Sequence, residues 1–221
     1  MKKLINLPVA SILILFAILQ NGCFKETTGN QYPDVTATTY TINGVVQHKE
    51  TDVDGSKLVP WHYGEAVVSA VANGSNLITS VKMDADGSFT LELPATIPGI
   101  YFSSLSEIAA QQGGTIKATP DDVKLFGTTQ FKVDYTENGK SKTANISLST
   151  LNADLSVNRS YLFNFYSSDG SFTGKGTDGN VFNWTFAKGW GMVESYKTNS
   201  TTNTFNSKSV TDAPATAVWS N

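Results

Sequence analysis

Ser88-Phe89-Thr90-Leu91-Glu92-Leu93 alternates polar and apolar residues without a break. In an extended chain successive side chains point to opposite faces, so Phe89, Leu91 and Leu93 fall on one side and Ser88, Thr90 and Glu92 on the other. Only a strand with one face in a core and one in water makes sense of that order. The preceding Asp86-Gly87 accepts the positive φ that a tight hairpin turn requires.

Working outward, the same period recurs. Tyr40, Ile42 and Val46 share a parity. Ala66, Val68 and Ala70 oppose Val67 and Val71. Leu77, Val81 and Met83 line one face of Asn76–Met83. Asp54-Gly55 and Asn73-Gly74 punctuate these runs. Further on, Gln130–Tyr135 and Lys142–Leu148 flank Asn138-Gly139, a hairpin signature. Ser160–Tyr166 sets Tyr161, Phe163 and Phe165 against Leu162, Asn164 and Tyr166. Strands are expected again at Ser171–Lys175, Val181–Phe186 and Gly189–Tyr196, and a last one within Pro214–Ser220. Thr198–Ser209, rich in Ser, Thr and Asn, reads as a loop.

Between the two runs of strands lie two helix signals. Ser104–Gly114 reads as a short helix that Ser104 or Ser106 can cap, with Glu107 favouring the first turn and Gly113 stopping it. Thr119-Pro120-Asp121-Asp122 has the form of a second helix start, ending by Gly127. The expected architecture is therefore all-β: two β-sandwich domains at residues 39–104 and 129–221, with a short helical connector at 105–128.

The N-terminus carries a different message. Lys2 and Lys3 precede an apolar run from Val9 to Leu19, then Gly22 and Cys23, the only cysteine. The run suits a signal peptide and is too short for a bilayer, which needs about 20 residues. Gly22-Cys23 resembles the bacterial lipobox, in which the cysteine is acylated and becomes the new N-terminus. The chain departs from that pattern in having Gln20 three residues before the cysteine, with Leu19 one further out; looser boxes are usual in the Bacteroidetes. The resemblance implies a signal peptide at 1–22, lipid attachment at Cys23, a flexible linker at 23–38 and an outer-membrane location, facing the periplasm or the surface. A lone cysteine forms no internal disulfide, so stability must come from packing. Removing residues 1–22 takes away two lysines and no acids, moving the net charge from −3 to −5. With one arginine, Arg159, the chain lacks the cationic field that nucleic acid demands.

Gly44-Val45-Val46, Gly64-Glu65-Ala66-Val67-Val68, Asp84-Ala85-Asp86-Gly87-Ser88-Phe89-Thr90-Leu91 and Pro98-Gly99-Ile100-Tyr101 together resemble a carboxypeptidase-regulatory-like domain over about residues 38–104. That resemblance implies a transthyretin-like sandwich serving as an accessory or spacer module without catalysis of its own. Gln47–His62 departs from it, as a long polar insert where the family has a tight turn. Lys188-Gly189-Trp190 and Ala217-Val218-Trp219 resemble the C-terminal β-domain of uncharacterised Bacteroidetes lipoproteins, which implies fold and little about function.

The search for chemistry yields few candidates. His48 and His62 fall in the polar insert and have no zinc-like spacing. Asp52-Val53-Asp54-Gly55-Ser56 and Asp84-Ala85-Asp86-Gly87-Ser88 have the opening spacing of a calcium loop. The twelfth positions, Tyr63 and Ala95, are not Glu, so the EF reading fails. Asp52, Asp54, Asp84 and Asp86 remain as a weak shared-calcium possibility beside plain Asp-Gly turns. No nucleophile elbow is present, because Gly170-Ser171-Phe172-Thr173-Gly174 misplaces its serine. Nothing pairs the seven glutamates as glycosidase carboxylates. Trp61, Trp184, Trp190 and Trp219 with Tyr161 and Tyr166 form a possible sugar-stacking set. Trp184 reads as core, between Phe182 and Phe186, and Trp61 reads as exposed and the possible ligand contact. The expected function is a non-catalytic binding or spacer module, with no cofactor, for a glycan or envelope protein. A structural part of an envelope complex is the alternative, and a glycan-active enzyme a remote one. A cluster of solvent-facing rings near Trp61 separates binding from structural roles.

Overall fold

Leu91 and Leu93 are fully buried and Phe89 nearly so, while Thr90 and Glu92 are exposed, as their alternation requires. The computed structural model describes residues 32–52, 55–72, 76–127, 129–199 and 204–221. The expected signal segment, Cys23 and Asp54 lie outside them. The fold is all-β and sandwich-like.

In chain order the strands are β1 (Val35–Thr36), β2 (Tyr40–Asp52), β3 (Gly55–Pro60), β4 (Ala66–Ala72), β5 (Asn76–Met83), β6 (Ser88–Leu93), β7 (Thr96–Ile97) and β8 (Ser103–Ser104). Helix α1 (Leu105–Gln112) follows. Then come β9 (Lys117–Thr119), β10 (Lys124–Phe126), β11 (Gln130–Glu137), β12 (Lys140–Leu151), β13 (Val157–Tyr166), β14 (Gly170–Lys175), β15 (Val181–Phe186), β16 (Gly189–Asn199), β17 (Thr204–Val210) and β18 (Val218–Ser220).

Two long strands change partners along their length and so turn the corners of the molecule. β2 pairs with β6 over Tyr40–Val45, runs parallel to β18 at Val46 and Gln47, and then forms a hairpin with β3. β12 pairs with β11 over Lys140–Ile146, then with β13 and β18 over Ser147–Leu151. Across the expected connector, β4 pairs with β11 as well. The main core is likewise shared. Ile42, Val46, Leu91 and Leu93 pack in one cluster with Phe131, Val133, Phe163, Met192 and Trp219. Neither the hydrogen bonding nor the core is interrupted at 105–128.

The β13–β16 pair is buried on both faces. Tyr161, Phe163 and Met192 face the main core. Tyr166 and Val193 face a second cluster with Phe172, Phe182, Trp184, Phe186 and Leu105 of α1. Tyr166 stacks flat on Phe186 with ring centroids 3.8 Å apart, and Asn164 Nδ2 donates to its hydroxyl at 3.1 Å.

Helix α1 matches the sequence reading: the Glu107 amide donates to Ser104 Oγ, and Gly113 closes the last turn at φ +64°. The second expected helix, 119–127, is corrected to the last residue of β9, a turn and strand β10. Val123, Leu125 and Phe126 are buried, and Leu125 pairs with Tyr166 of β13. Sheet pairing and burial override the capping signal. The described part of the expected linker is also corrected. Val35 and Thr36 pair with Ile97 and Thr96, and the Gly99 amide donates to Asp34 Oδ1. Thr204–Val210, read as loop, is strand β17, wedged antiparallel to β16 and parallel to β15.

Candidate functional site

A cleft of about 500 Å³ opens where β2 parts from β18. The parting follows from β2's change of partner, since its residues 40–45 turn to β6 while 46 and 47 stay with β18. Ile42, Leu148, Phe163 and Met192 supply apolar lining, and residues 212–217 form one lip. Tyr40, Asn43, Gln47 and Asp212 bring polar groups to the wall. Gly44 also lines it, and a Cβ there would lie 2.5 Å from Cδ1 and 2.6 Å from Nε1 of the Trp219 indole. Burial, and then the charge of Asp212, push the Tyr40 hydroxyl above its ordinary pKa, so it stays a donor at neutral pH.

The cleft continues along one sheet face into a row of paired residues. Trp219 lies opposite Leu148, Leu148 opposite Tyr161, Tyr161 opposite Glu194, and Glu194 opposite Lys208. Glu194 is buried. Its Oε1 accepts from Arg159 at 2.6 Å and its Oε2 lies 3.3 Å from Lys208 Nζ. Burial alone would raise its pKa; hydrogen bonds and charge from Arg159 and Lys208 outweigh that and hold it below its usual range. A carboxylate tied to two cations is a structural anion rather than a poised acid or base.

Trp61 is not where the sequence reading put it. It is 3 % exposed, packs in the main core, and its Nε1 donates to the Gly64 carbonyl at 2.8 Å. The expected exposed contact is thus corrected to an anchor. The polar insert is a hairpin, so His48 sits on β2 rather than in a loop. Its Nδ1 is 3.0 Å from Asn221 Oδ1 and its Nε2 is 2.9 Å from the Tyr63 hydroxyl. Asn221 Oδ1, which also accepts from the Lys49 amide, makes Nδ1 the donor of that pair, and the Tyr63 hydroxyl shares a hydrogen bond with Nε2.

Around buried Trp61 lies a set of half-open rings. Tyr63 and Tyr135 are 4.8 Å apart, each 5.1 Å from the Trp61 ring, and exposed His62 lies 4.2 Å from Tyr63. Glu50 and Glu137 border them, each beside a lysine, Lys57 and Lys142. Burial first, then nearby Glu137, Tyr135 and Glu50, raise the Tyr63 pKa.

The remaining candidates are placed as follows. Asp84 and Asp86 both turn to Ser88, whose amide and Oγ donate to Asp86 Oδ1 at 2.9 and 2.7 Å. Asp52 ends β2. Among the described residues no group of three or more His, Cys, Asp or Glu is placed to hold a metal. The six-ring stacking set does not form one platform, because Tyr161 and Tyr166 lie in different cores and Trp184 is buried in the second. Among the described residues no helix is long and apolar enough to cross a membrane.

The rings of Tyr63 and Tyr135 and the cleft residues Tyr40, Gln47 and Asp212 were not legible as sites. Tyr63 lies two residues after Trp61, which was the available signal. The others meet only through long-range pairing.

Comparison with protein-family models, curated proteins and solved structures returns no match.

Proposed function

We propose that this chain is a non-catalytic binding module of the cell envelope, held at the outer membrane by a lipid on Cys23, with a glycan or an envelope protein as partner. The observation that carries the reading is the set of half-open rings at Tyr63, Tyr135 and His62, locked from beneath by Trp61. Flat rings with fixed orientation offer apolar area at little cost in side-chain freedom, and sugar faces and protein hot spots both use them. Glu50 and Glu137 at their edge accept hydrogen bonds from hydroxyls or amides. The likeness of residues 38–104 to an accessory sandwich agrees with a module that binds rather than catalyses.

The test compares full-length protein with a Tyr63→Ala/Tyr135→Ala double variant on arrayed surface polysaccharides and in cross-linking to envelope extracts. Binding that falls at least tenfold in the double variant supports the reading. An interaction that survives unchanged assigns the protein to a structural role instead. For the tether, a fatty-acid probe should label the wild type and not Cys23→Ala; an unlabelled wild type contradicts it.

A further inference from the structure

The chain has four tryptophans. Three of them hand their indole proton to a protein acceptor: Trp61 to the Gly64 carbonyl at 2.8 Å, Trp184 to Ser207 Oγ at 2.9 Å and Trp190 to the Pro94 carbonyl at 2.8 Å. Trp219 is as buried as any of them, at 3 % exposure, yet among the described residues nothing accepts from its N–H. The sealed side-chain polar atoms without a partner among the described residues are Thr129 Oγ1 and Thr150 Oγ1; the Trp219 nitrogen is not one of them, so although the residue is buried its N–H still reaches water. That N–H belongs to a residue that lines the cleft, with its pyrrole edge against Gly44. A side chain at position 44 would collide with that edge. Glycine is what lets strand and indole sit together at the cleft wall.

The other polar groups of the wall are equally uncommitted. The Tyr40 hydroxyl, the Gln47 amide and the Asp212 carboxylate make no side-chain hydrogen bond among the described residues. They are donor, donor with acceptor, and acceptor respectively. Lysine, arginine and histidine are absent from the described lining. A phosphate, sulfate or carboxylate ligand would find no counter-charge there and would face Asp212. Ile42, Leu148, Phe163 and Met192 give the cleft its apolar lining.

We propose that this cleft is a small-molecule site for a neutral, hydroxyl-bearing ring ligand, a mono- or disaccharide, with the Trp219 N–H, the Tyr40 hydroxyl and the Gln47 amide as its hydrogen-bond partners. Such a ligand carries hydroxyls that both donate and accept around its edge and a C–H face for the apolar lining. A cleft of about 500 Å³ lies inside the usual range for small-ligand pockets. The site uses none of the Tyr63–Tyr135 rings, so the two proposals stand or fall separately.

The experiment follows the four indole N–H resonances of full-length, ¹⁵N-labelled protein in detergent micelles. Trp219→Phe identifies the Trp219 signal. The probes are glucose, galactose, N-acetylglucosamine, maltose and cellobiose, with glucose 6-phosphate as the anionic counterpart. The expected result has three parts. At least one neutral sugar shifts the Trp219 signal in a saturable way. Its phosphorylated form binds at least tenfold more weakly. Gln47→Ala, a half-exposed change that leaves the core intact, weakens it about tenfold, while the Tyr63→Ala/Tyr135→Ala variant does not. Absence of a saturable shift with every neutral sugar overturns the proposal. So does equal or tighter binding of glucose 6-phosphate, and so does a Trp219 N–H protected from solvent exchange in the free protein.

Discussion

Arg159 and Glu194 meet 2.6 Å apart on neighbouring strands β13 and β16, with the Arg159 guanidinium also lying over the Tyr196 ring at 4.6 Å. The lone arginine of the chain is thus spent inside the sheet face that leads away from the cleft.

The first prediction concerns acid stability. Glu194's carboxyl is held below its ordinary range in the folded protein by Arg159 and Lys208. A depressed folded value means the group stabilises the fold above its unfolded pKa, near 4.3, and loses that contribution as pH falls through the folded value. Thermal midpoints measured between pH 3 and 6 should drop on acidification, and Glu194→Gln should flatten the slope. An unchanged slope in that variant contradicts the assignment. Arg159→Ala at pH 7 should cost about 2 kcal/mol, because it strands a buried carboxylate with one remaining cation.

A second prediction tests β17. Ser207 Oγ accepts the Trp184 indole proton inside the second core, and Ser207 is 5 % exposed. Ser207→Ala should destabilise by about 1–2 kcal/mol in urea unfolding, as a buried donor is left unmatched. Asn206, half-buried on the neighbouring position, should tolerate Ala far better. Equal effects of the two would put 204–210 back in a loop.

A third compares two turn glycines. Gly139 has φ +73° with open space where a Cβ would stand, whereas Gly87 has φ +87° and a Cβ there would lie 2.6 Å from the Val46 carbonyl oxygen. Gly139→Ala should cost about 1 kcal/mol, the backbone term alone. Gly87→Ala should cost roughly 2–4 kcal/mol, since overpacking adds to the same backbone term. Guanidinium midpoints of the two variants give the comparison, and a milder effect at Gly87 would contradict the close approach.

The fourth concerns cooperativity. Phe131, from the second half of the chain, packs edge-on against Phe163 and Trp219 in the cluster that holds Leu91 and Leu93. Phe131→Ala should cost about 3–5 kcal/mol and lower a single thermal transition for the whole protein. Two separated transitions, only one of them moved by the substitution, would show that the halves are independent.

Why some of this was readable and some not follows from what each signal measures. Phe89-Thr90-Leu91 and Asn138-Gly139 are local statements: alternation sets the faces, and positive φ at Asn138 and Gly139 sets the hairpin. The capping of α1 by Ser104 is equally local. Trp61 misled because it ends the stretch 47–62, which as a whole reads as a polar insert, while its neighbours in space are Tyr135 and the turn at Gly87, the latter close enough that a Cβ there would touch Trp61 Cβ at 2.8 Å. The Thr-Pro-Asp-Asp start misled because burial of Val123 and Leu125 decides that segment. The cleft was out of reach altogether, since Tyr40, Gln47 and Asp212 come together only when β2 meets β18.

That meeting has a kinetic side. Val46 finds its parallel partner Trp219 about four-fifths of the chain away, and β4 waits for β11 across a shorter gap. Such high contact order places folding in the slow regime, milliseconds to seconds. Until the last strand docks, the margin of β2 around Val46 stays unpaired and open to capture by other chains.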